Sequence, residues 1–381
     1  MFRRRFIPVK HTVNLLKKPS PGNGVPPLPG ALPKHDNRFT LLTYNILSPA
    51  YMWPQVYTYV PEQCKQWEFR HDLLEQELLG KYKADIMCIQ EMTKRDYQQF
   101  WSPIASGKCD MGSEFISKTA PKYWKREPDE LDGVAIFYNR KMFDFVSSKG
   151  IYLNQMLDAF NDHELEYLGQ KKLGLTDGAG NPTGETNLLN FLKLKNQVSL
   201  FVSLQHKSTG MYFVVINTHL YWKYDEVKLT QCMVIMRELS QIIDDLLKDV
   251  PDVTKEKVKI IFTGDLNSTK NSPVINFLRG NIISHLDLNM VNPMKPFLNR
   301  CVYDDAPEEW FDNTCYSGKL KGIFDYIWYH DTDLKLTKIL TGKEVSDELD
   351  EASQRGLPNG THPSDHIPVL TEFKILNQSK G

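Results

Sequence analysis

Eight short apolar runs rich in β-branched residues recur between positions 39 and 375, and they constrain the fold more than any other feature of the chain. They are Phe39–Leu47, Asp85–Glu91, Gly133–Tyr138, Val198–Gln205, Tyr212–Leu220, Val258–Leu266, Ile323–Tyr329 and Val369–Ile375. Each has the length of a strand, and several are too apolar to leave one face in water. Helical patterns lie between them. Arg70–Lys81 sets Leu73, Leu74, Leu78 and Leu79 along one stripe, and Glu226–Leu247 repeats apolar residues at Leu229, Met233, Met236, Leu239 and Ile242 or Ile243. The methionines of that long helix read as core packing. Strands covered on both faces, with amphipathic helices between them, predict an α/β fold of two packed sheets with helices outside. Asn161–Asn196, with Gly169, Gly174, Gly178, Gly180, Pro182 and Gly184, reads as an extended insertion.

The charge of the chain is split. The formal net is −1, from 46 Lys+Arg against 47 Asp+Glu, yet no acidic residue precedes Asp36. That head holds Arg3, Arg4, Arg5, Lys10, Lys17, Lys18 and Lys34. Without these seven, 39 basic groups face 47 acidic ones, a net of −8 that excludes a uniformly basic nucleic-acid coat for the body. Met1 to Ser20 is Arg/Lys-rich, acid-free and dotted with Phe2, Phe6, Ile7, Leu15 and Leu16, which suits a mitochondrial transit peptide. A cytoplasmic protein with a basic tail is the alternative. Pro19 to Pro33, rich in Pro and Gly, reads as a stiff unfolded linker. The expected organisation is a disordered presequence and linker over 1–37 and a folded domain over 38–381, with an insertion near 161–197. A stretch of about eighteen apolar residues, as a membrane span needs, is not seen, so stable membrane insertion is not expected. Cys64, Cys88, Cys109, Cys232, Cys301 and Cys315 include no close pair, which argues against a thiolate zinc site.

Several of the runs end alike, on a polar group able to bind a metal ion or a phosphate. Thr43-Tyr44-Asn45 closes the first, Cys88-Ile89-Gln90-Glu91 the second, Asn217-Thr218-His219 another and Thr263-Gly264-Asp265-Leu266-Asn267 another. Ser364-Asp365-His366 joins them near the C-terminus. One such end alone is an ordinary exit to solvent: His219 reads as a structural histidine, Asn45 as a turn cap, and Asp265 with Asn267 as an Asx turn. Their recurrence points to one site. Asp265 and Asn267, two apart, share a face of an extended chain, and Gly264 lets a neighbouring backbone approach. Pro363 and Pro368 make the Asp365–His366 segment a turn in which both side chains can face one centre. Asp325 falls on the inward face with Ile323 and Ile327, where a carboxylate requires a partner, and a histidine is the natural one. Acidic groups, an amide and two histidines without thiols favour a hard ion, magnesium or manganese rather than zinc. Phosphodiester cleavage fits this set, with a carboxylate positioning water and a histidine stabilising the developing oxyanion.

The segments TYNIL, CIQE, NTHLYW, TGDLNS, FDYIWY and PSDHIPV, in this order, resemble the endonuclease/exonuclease/phosphatase superfamily. Within it they look like the carbon-catabolite-repressor-type nuclease branch, which includes deadenylases, nocturnin and Angel, and most like its yeast Ngl group of shorter members. The resemblance runs from about Arg38 to Leu376 and implies a four-layer α/β sandwich with its site at one end of the paired sheets. It implies that Glu91 binds the principal Mg²⁺, with Mn²⁺ as a possible substitute, and that Asp365 lies near the metal. Asn45 and Asn267 would hold phosphoryl oxygens or a second metal, and Asp265, beside the metal, would orient or deprotonate the attacking water. His366, steadied by Asp325, would contact the scissile phosphate, with His219 as a second phosphate-facing histidine. Trp222 and Arg70 join the substrate-binding set, Arg70 as a support. The activity implied is magnesium-dependent hydrolysis of RNA, 3′-exonucleolytic, with RNA as the partner.

The chain departs from poly(A)-specific members at two places. Trp222 runs directly into Lys223-Tyr224-Asp225-Glu226 without their proline loop, and Leu320 stands where they carry an aromatic before Lys321-Gly322. Stacking a base on an aromatic is worth about 1–3 kcal/mol, so an adenine preference is not implied. Trp310, Phe311 and Tyr316 are other candidate platforms, with packing as their plainer role. The rival activities are a phosphatase acting on a small phosphorylated metabolite or nucleotide cofactor, and an RNA-binding scaffold without catalysis. A nuclease should gather basic groups beside Asp265 and His366 despite the acidic body.

Overall fold

The computed structural model describes residues 4–9, 37–122, 124–251, 253–281, 291–318, 320–332, 334–352 and 354–376. In chain order its strands begin with β1 (Phe6–Pro8), β2 (Arg38–Asn45), β3 (Ile86–Thr93), β4 (Met111–Ser117), β5 (Asp132–Asn139) and β6 (Phe143–Tyr152). A hairpin of β7 (Lys172–Thr176) and β8 (Pro182–Asn187) precedes β9 (Val198–His206), β10 (Tyr212–His219) and β11 (Val258–Asp265). Then come β12 (Arg300–Cys301), the hairpin β13 (Cys315–Tyr316) with β14 (Lys321–Gly322), β15 (Asp325–Tyr329), β16 (Leu334–Leu340) and β17 (Val369–Ile375). They form two mixed sheets, ordered β1-β16-β17-β2-β3-β5-β4 and β12-β15-β11-β10-β9-β6.

The burial of β2 explains why its run is apolar throughout. Phe39 and Leu41 point into the core between the sheets, with Phe213, Val215 and Ile327. Leu42, Tyr44 and Ile46 point the other way, onto Leu74 and Leu78 of the helical layer. A strand with period two and two dry faces is mostly apolar until it leaves the sheet, and a polar position within it needs a buried partner, as Thr43 has in Gln90. On the far side, the helix Asp225–Asp249 buries Leu229, Met233, Met236, Leu239, Ile242 and Ile243, the stripe its periodicity requires. The architecture is the layered α/β sandwich expected from the sequence.

A polar tie between amides crosses the interface of the sheets. Gln90 of the first sheet donates from Nε2 to Asn217 Oδ1 at 2.7 Å, and Asn217 Nδ2 donates to the carbonyls of Ile89 and Ala135 at 3.0 and 2.9 Å. Both amides are fully buried. Buried amide donors paired across the sheets favour a single alignment, because any slip leaves them unpaired.

One expectation needs correction. The head was expected to be unstructured through residue 37, but β1 pairs antiparallel with β16, Phe6 against Leu340. Arg4 is buried and donates to the carbonyls of Thr341 and Pro368 at 2.6 and 2.8 Å. This is long-range pairing that no local pattern announces; the linker at 10–36 lies outside the described residues. The insertion carries secondary structure of its own. It folds as a helix (Asp162–Gln170), the β7–β8 hairpin and a second helix (Leu188–Lys193).

Candidate active site

Strand register assembles one row of the site. Parallel β10 and β11 set His219 beside Asp265, and antiparallel β15 sets Asp325 beside Asp265. Cross-strand neighbours project to the same face, so three chemically active side chains converge at one sheet end. Gly264 makes the approach possible. Its φ is +145°, and a Cβ there would stand 2.0 Å from the Thr218 carbonyl oxygen.

The first sheet supplies the opposing groups. Asn45 ends β2 opposite Gln90. In a regular strand Glu91 would point away from Gln90, into the helical layer. A register shift between Gln90 and Met92, with Glu91 at φ +63°, turns its carboxylate toward Asn45 instead. Asn45 Nδ2 donates to Glu91 Oε1 at 2.9 Å and to Asp265 Oδ2 at 3.0 Å, so one amide joins carboxylates from both sheets. The Ser48 amide donates to Glu91 Oε2 at 2.8 Å.

The C-terminal turn closes the site. Cys315 of β13 bridges His366, and the Tyr316 amide donates to the Asp365 carbonyl at 2.7 Å. His366 Nδ1 bonds Asp325 Oδ2 at 2.8 Å, and its Nε2 lies 3.6 Å from Asp265 Oδ2. Asp325 Oδ2 also accepts from Thr314 Oγ1 at 2.6 Å. His219 Nε2 lies 3.6 Å from the same Asp265 oxygen, and its Nδ1 3.8 Å from Glu91. Asp365 Oδ2 accepts from the Tyr57 hydroxyl at 2.8 Å.

Neighbouring charges separate the protonation states of the two buried histidines. For His219, burial, then Lys118 and His366, push the pKa well below the usual imidazole value, so it is neutral. For His366, burial opposes the charge, but Asp325, Cys315 and Asp265 outweigh it and raise the pKa well above the usual value. Burial also lifts the Asp265 carboxyl to about 6, against the opposing pull of His366. The Glu91 carboxyl is pushed up to about 7 by burial and by the charges of Asp132 and Asp365. Carboxyls raised in this way are relieved by a cation. The donors suit a hard one: carboxylate oxygens of Glu91, Asp265 and Asp365 with the Asn45 amide. Ligating atoms of Asp265, Asp325 and His366 lie within 4.8 Å of one another, as do those of Cys315, Asp365 and His366.

Two expected residues serve differently from their sequence reading. Asn267 does not extend β11 to share a face with Asp265. Its φ is +47°, its amide nitrogen donates to Asp265 Oδ1 at 2.9 Å, and its Nδ2 donates to the Leu220 carbonyl at 2.9 Å. The pair forms an Asx turn, which the left-handed tolerance of asparagine permits. Arg70 cannot touch a substrate, because it is fully buried. Its Nη1 donates to the carbonyls of Leu47 and Pro363 at 2.8 and 3.1 Å, pinning the two loops that carry Asn45 and Asp365. Trp222, by contrast, is 56% exposed.

Sequence reasoning missed a second layer. Lys118 donates to Asp132 Oδ2 at 2.7 Å and to the Tyr51 hydroxyl at 3.2 Å, both side chains of the ion pair being buried beside Glu91. Nothing in Lys118-Thr119-Ala120-Pro121 marks that lysine; only the strand pairing of β4 with β5 delivers it. The insertion also props the site. The Thr176 amide donates to the Tyr224 hydroxyl at 3.0 Å, and Phe191 packs on Tyr221 and Tyr224, bracing the loop that carries Trp222.

Known proteins resemble this chain in sequence and fold. A model of the Endonuclease/Exonuclease/phosphatase family matches residues 42–366. RNA exonuclease NGL1 of Saccharomyces cerevisiae is 64% identical over 99% of this chain and 100% of its own length. The CCR4-Not complex 3′-5′-exoribonuclease subunit Ccr4 of Candida albicans is 29% identical over 92% of this chain, which spans 43% of that longer protein. The crystal structure of ANGEL2, a 2′,3′-cyclic phosphatase, aligns over 89% of this chain and 96% of its own with a TM-score of 0.62 at 21% identity, a likeness of fold.

Proposed function

The chain belongs to the endonuclease/exonuclease/phosphatase family, and from that membership and its site geometry we propose a magnesium-dependent nuclease that hydrolyses RNA from the 3′ end. The observation that carries the proposal is the setting of Asp265, one oxygen of which lies 3.6 Å from both neutral His219 and cationic His366. A carboxyl raised to about 6 is a base matched to neutral pH, able to take a proton from an attacking water. Imidazolium at His366, fixed by Asp325, offsets negative charge developing on the phosphoryl oxygens. Neutral His219 offers one N–H without competing for that proton. Asn45 holds the carboxylates of Glu91 and Asp265 in register. Glu91, with Asp265 and Asp365 alongside, would hold Mg²⁺, which when bound neutralises phosphate charge and acidifies water.

RNA as the substrate is supported by the names of the two relatives, an RNA exonuclease and a 3′-5′-exoribonuclease. The exposed indole of Trp222 offers an unpaired base a stacking face. We place the protein in mitochondria on the composition of residues 1–20; a reporter fused to residues 1–33 that stays cytosolic overturns this.

The test of the activity offers purified protein labelled RNA, labelled DNA and free nucleotides, each with Mg²⁺ and with a chelator. Metal-dependent release of mononucleotides from RNA is expected. Release of phosphate from a small molecule with both polynucleotides intact would replace the nuclease reading with a phosphatase.

A further inference from the structure

An exposed indole keeps a π face free, on which an unpaired nucleobase can stack. Trp53 is 45% exposed. It sits in the loop between β2 and the helix Trp67–Glu75, and that loop is fastened to the site at three points. The Ser48 amide donates to Glu91, the Tyr51 hydroxyl to Asp132 Oδ1 at 2.7 Å, and the Tyr57 hydroxyl to Asp365 at 2.8 Å. Trp53 lies between the last two anchors in the chain.

The backbone that carries the ring is also fixed. The Trp53 amide donates to the Tyr51 carbonyl at 2.7 Å, and its own carbonyl accepts from Val56 and Tyr57 at 2.9 and 3.1 Å. Its ring meets Tyr51 edge to face, centroids 5.8 Å apart, while Lys118 Nζ lies 5.3 Å from the Tyr51 ring centre. Lys118 is buried in its ion pair with Asp132 and so braces the loop from inside, leaving the exposed Trp53 ring as the face on which an unpaired base can stack.

Two of the other aromatic candidates are closed to a ligand, while Trp310 is partly exposed. Phe311 and Tyr316 are buried at 5% and 1% exposure, and Leu320, though exposed, has no π face. We propose that Trp53 is a stacking surface for one unpaired nucleobase of the substrate strand, held on the Glu91 and Asp365 side of the site. The proposal rests on the RNA reading above and adds to it a base subsite separate from Trp222.

The test pairs protein and substrate changes. Steady-state kinetics are measured for wild type, Trp53→Ala and Trp53→Phe on a short RNA and on variants with one abasic position at a time. Losing one base–aromatic stack predicts that Trp53→Ala raises KM about five- to a hundredfold, with kcat moving less than about threefold. Trp53→Phe should recover most of the loss. One abasic position should raise KM for wild type and leave Trp53→Ala no worse, the signature of a direct pair. If every abasic effect is the same in Trp53→Ala as in wild type, or if Trp53→Phe is no better than Trp53→Ala, the subsite is refuted while the nuclease stands. If wild type does not cleave RNA at all, both fall.

Discussion

His366 offers Nδ1 to Asp325 Oδ2 at 2.8 Å while its Nε2 faces Asp265 at 3.6 Å, so a buried carboxylate behind the ring maintains a cation in front of it. Asp325→Asn keeps the shape and removes the charge. The His366 pKa then falls, and less imidazolium remains at neutral pH. We expect kcat to drop about a hundredfold or more, with the alkaline limb of the pH–rate profile moved to lower pH and KM little changed. An unmoved alkaline limb would remove His366 from the proposed role.

Glu91 links the site to stability. Its carboxyl is raised from 4.5 to about 7, so without a divalent ion the folded form keeps a proton that the unfolded chain gives up. Stability therefore falls as pH rises from about 4.5 to about 7, and Glu91→Gln should flatten that slope. Mg²⁺ at about a hundred times its Kd should stabilise wild type by about 2.7 kcal/mol and the variant by less. Thermal unfolding across pH, with and without Mg²⁺, reads both effects.

Gly264→Ala places a Cβ against the Thr218 carbonyl, 2.0 Å away, at a φ of +145°. The clash is with backbone, so β10 and β11 must part. We expect a loss of about 2–4 kcal/mol in urea unfolding, with activity falling because His219 and Asp265 lose their register. A variant as stable as wild type would contradict the strand pairing.

Removing residues 1–9 takes away β1 and the buried Arg4 bonds to Thr341 and Pro368. The truncated protein should melt at a lower temperature, and Arg4→Ala should reproduce most of the drop. Arg5→Ala should cost less than about 1 kcal/mol, since its ion pair with Glu344 is largely in solvent on the arginine side. Equal melting temperatures for full-length and truncated protein would leave the head with no part in the fold.

The eight apolar runs were legible because each is sandwiched and so carries its burial on both faces, and the site was legible because polar residues gather where those strands leave the core. Asp325 could be read as inward-facing from Ile323 and Ile327 alone. The edge strands were not legible. β6 passes through Val146-Ser147-Ser148-Lys149-Gly150 with much of its length in water, and β1 exists only through pairing with residues more than three hundred positions away. Lys118, Tyr51 and Tyr57 reach the site by tertiary packing, so no spacing near Glu91 or Asp365 pointed to them. The bulge at Glu91 is a further case: strict alternation would have turned that carboxylate away from Asn45.

The central claim is that Asp265 takes the proton from the water that cleaves RNA. Its most direct measurement is the single-turnover rate of wild type and Asp265→Asn on 5′-labelled RNA with Mg²⁺. We predict stepwise shortening from the 3′ end by wild type, a rate at least about a thousandfold lower in the variant, and RNA affinity within about threefold. Cleavage by the variant at near the wild-type rate would contradict the account.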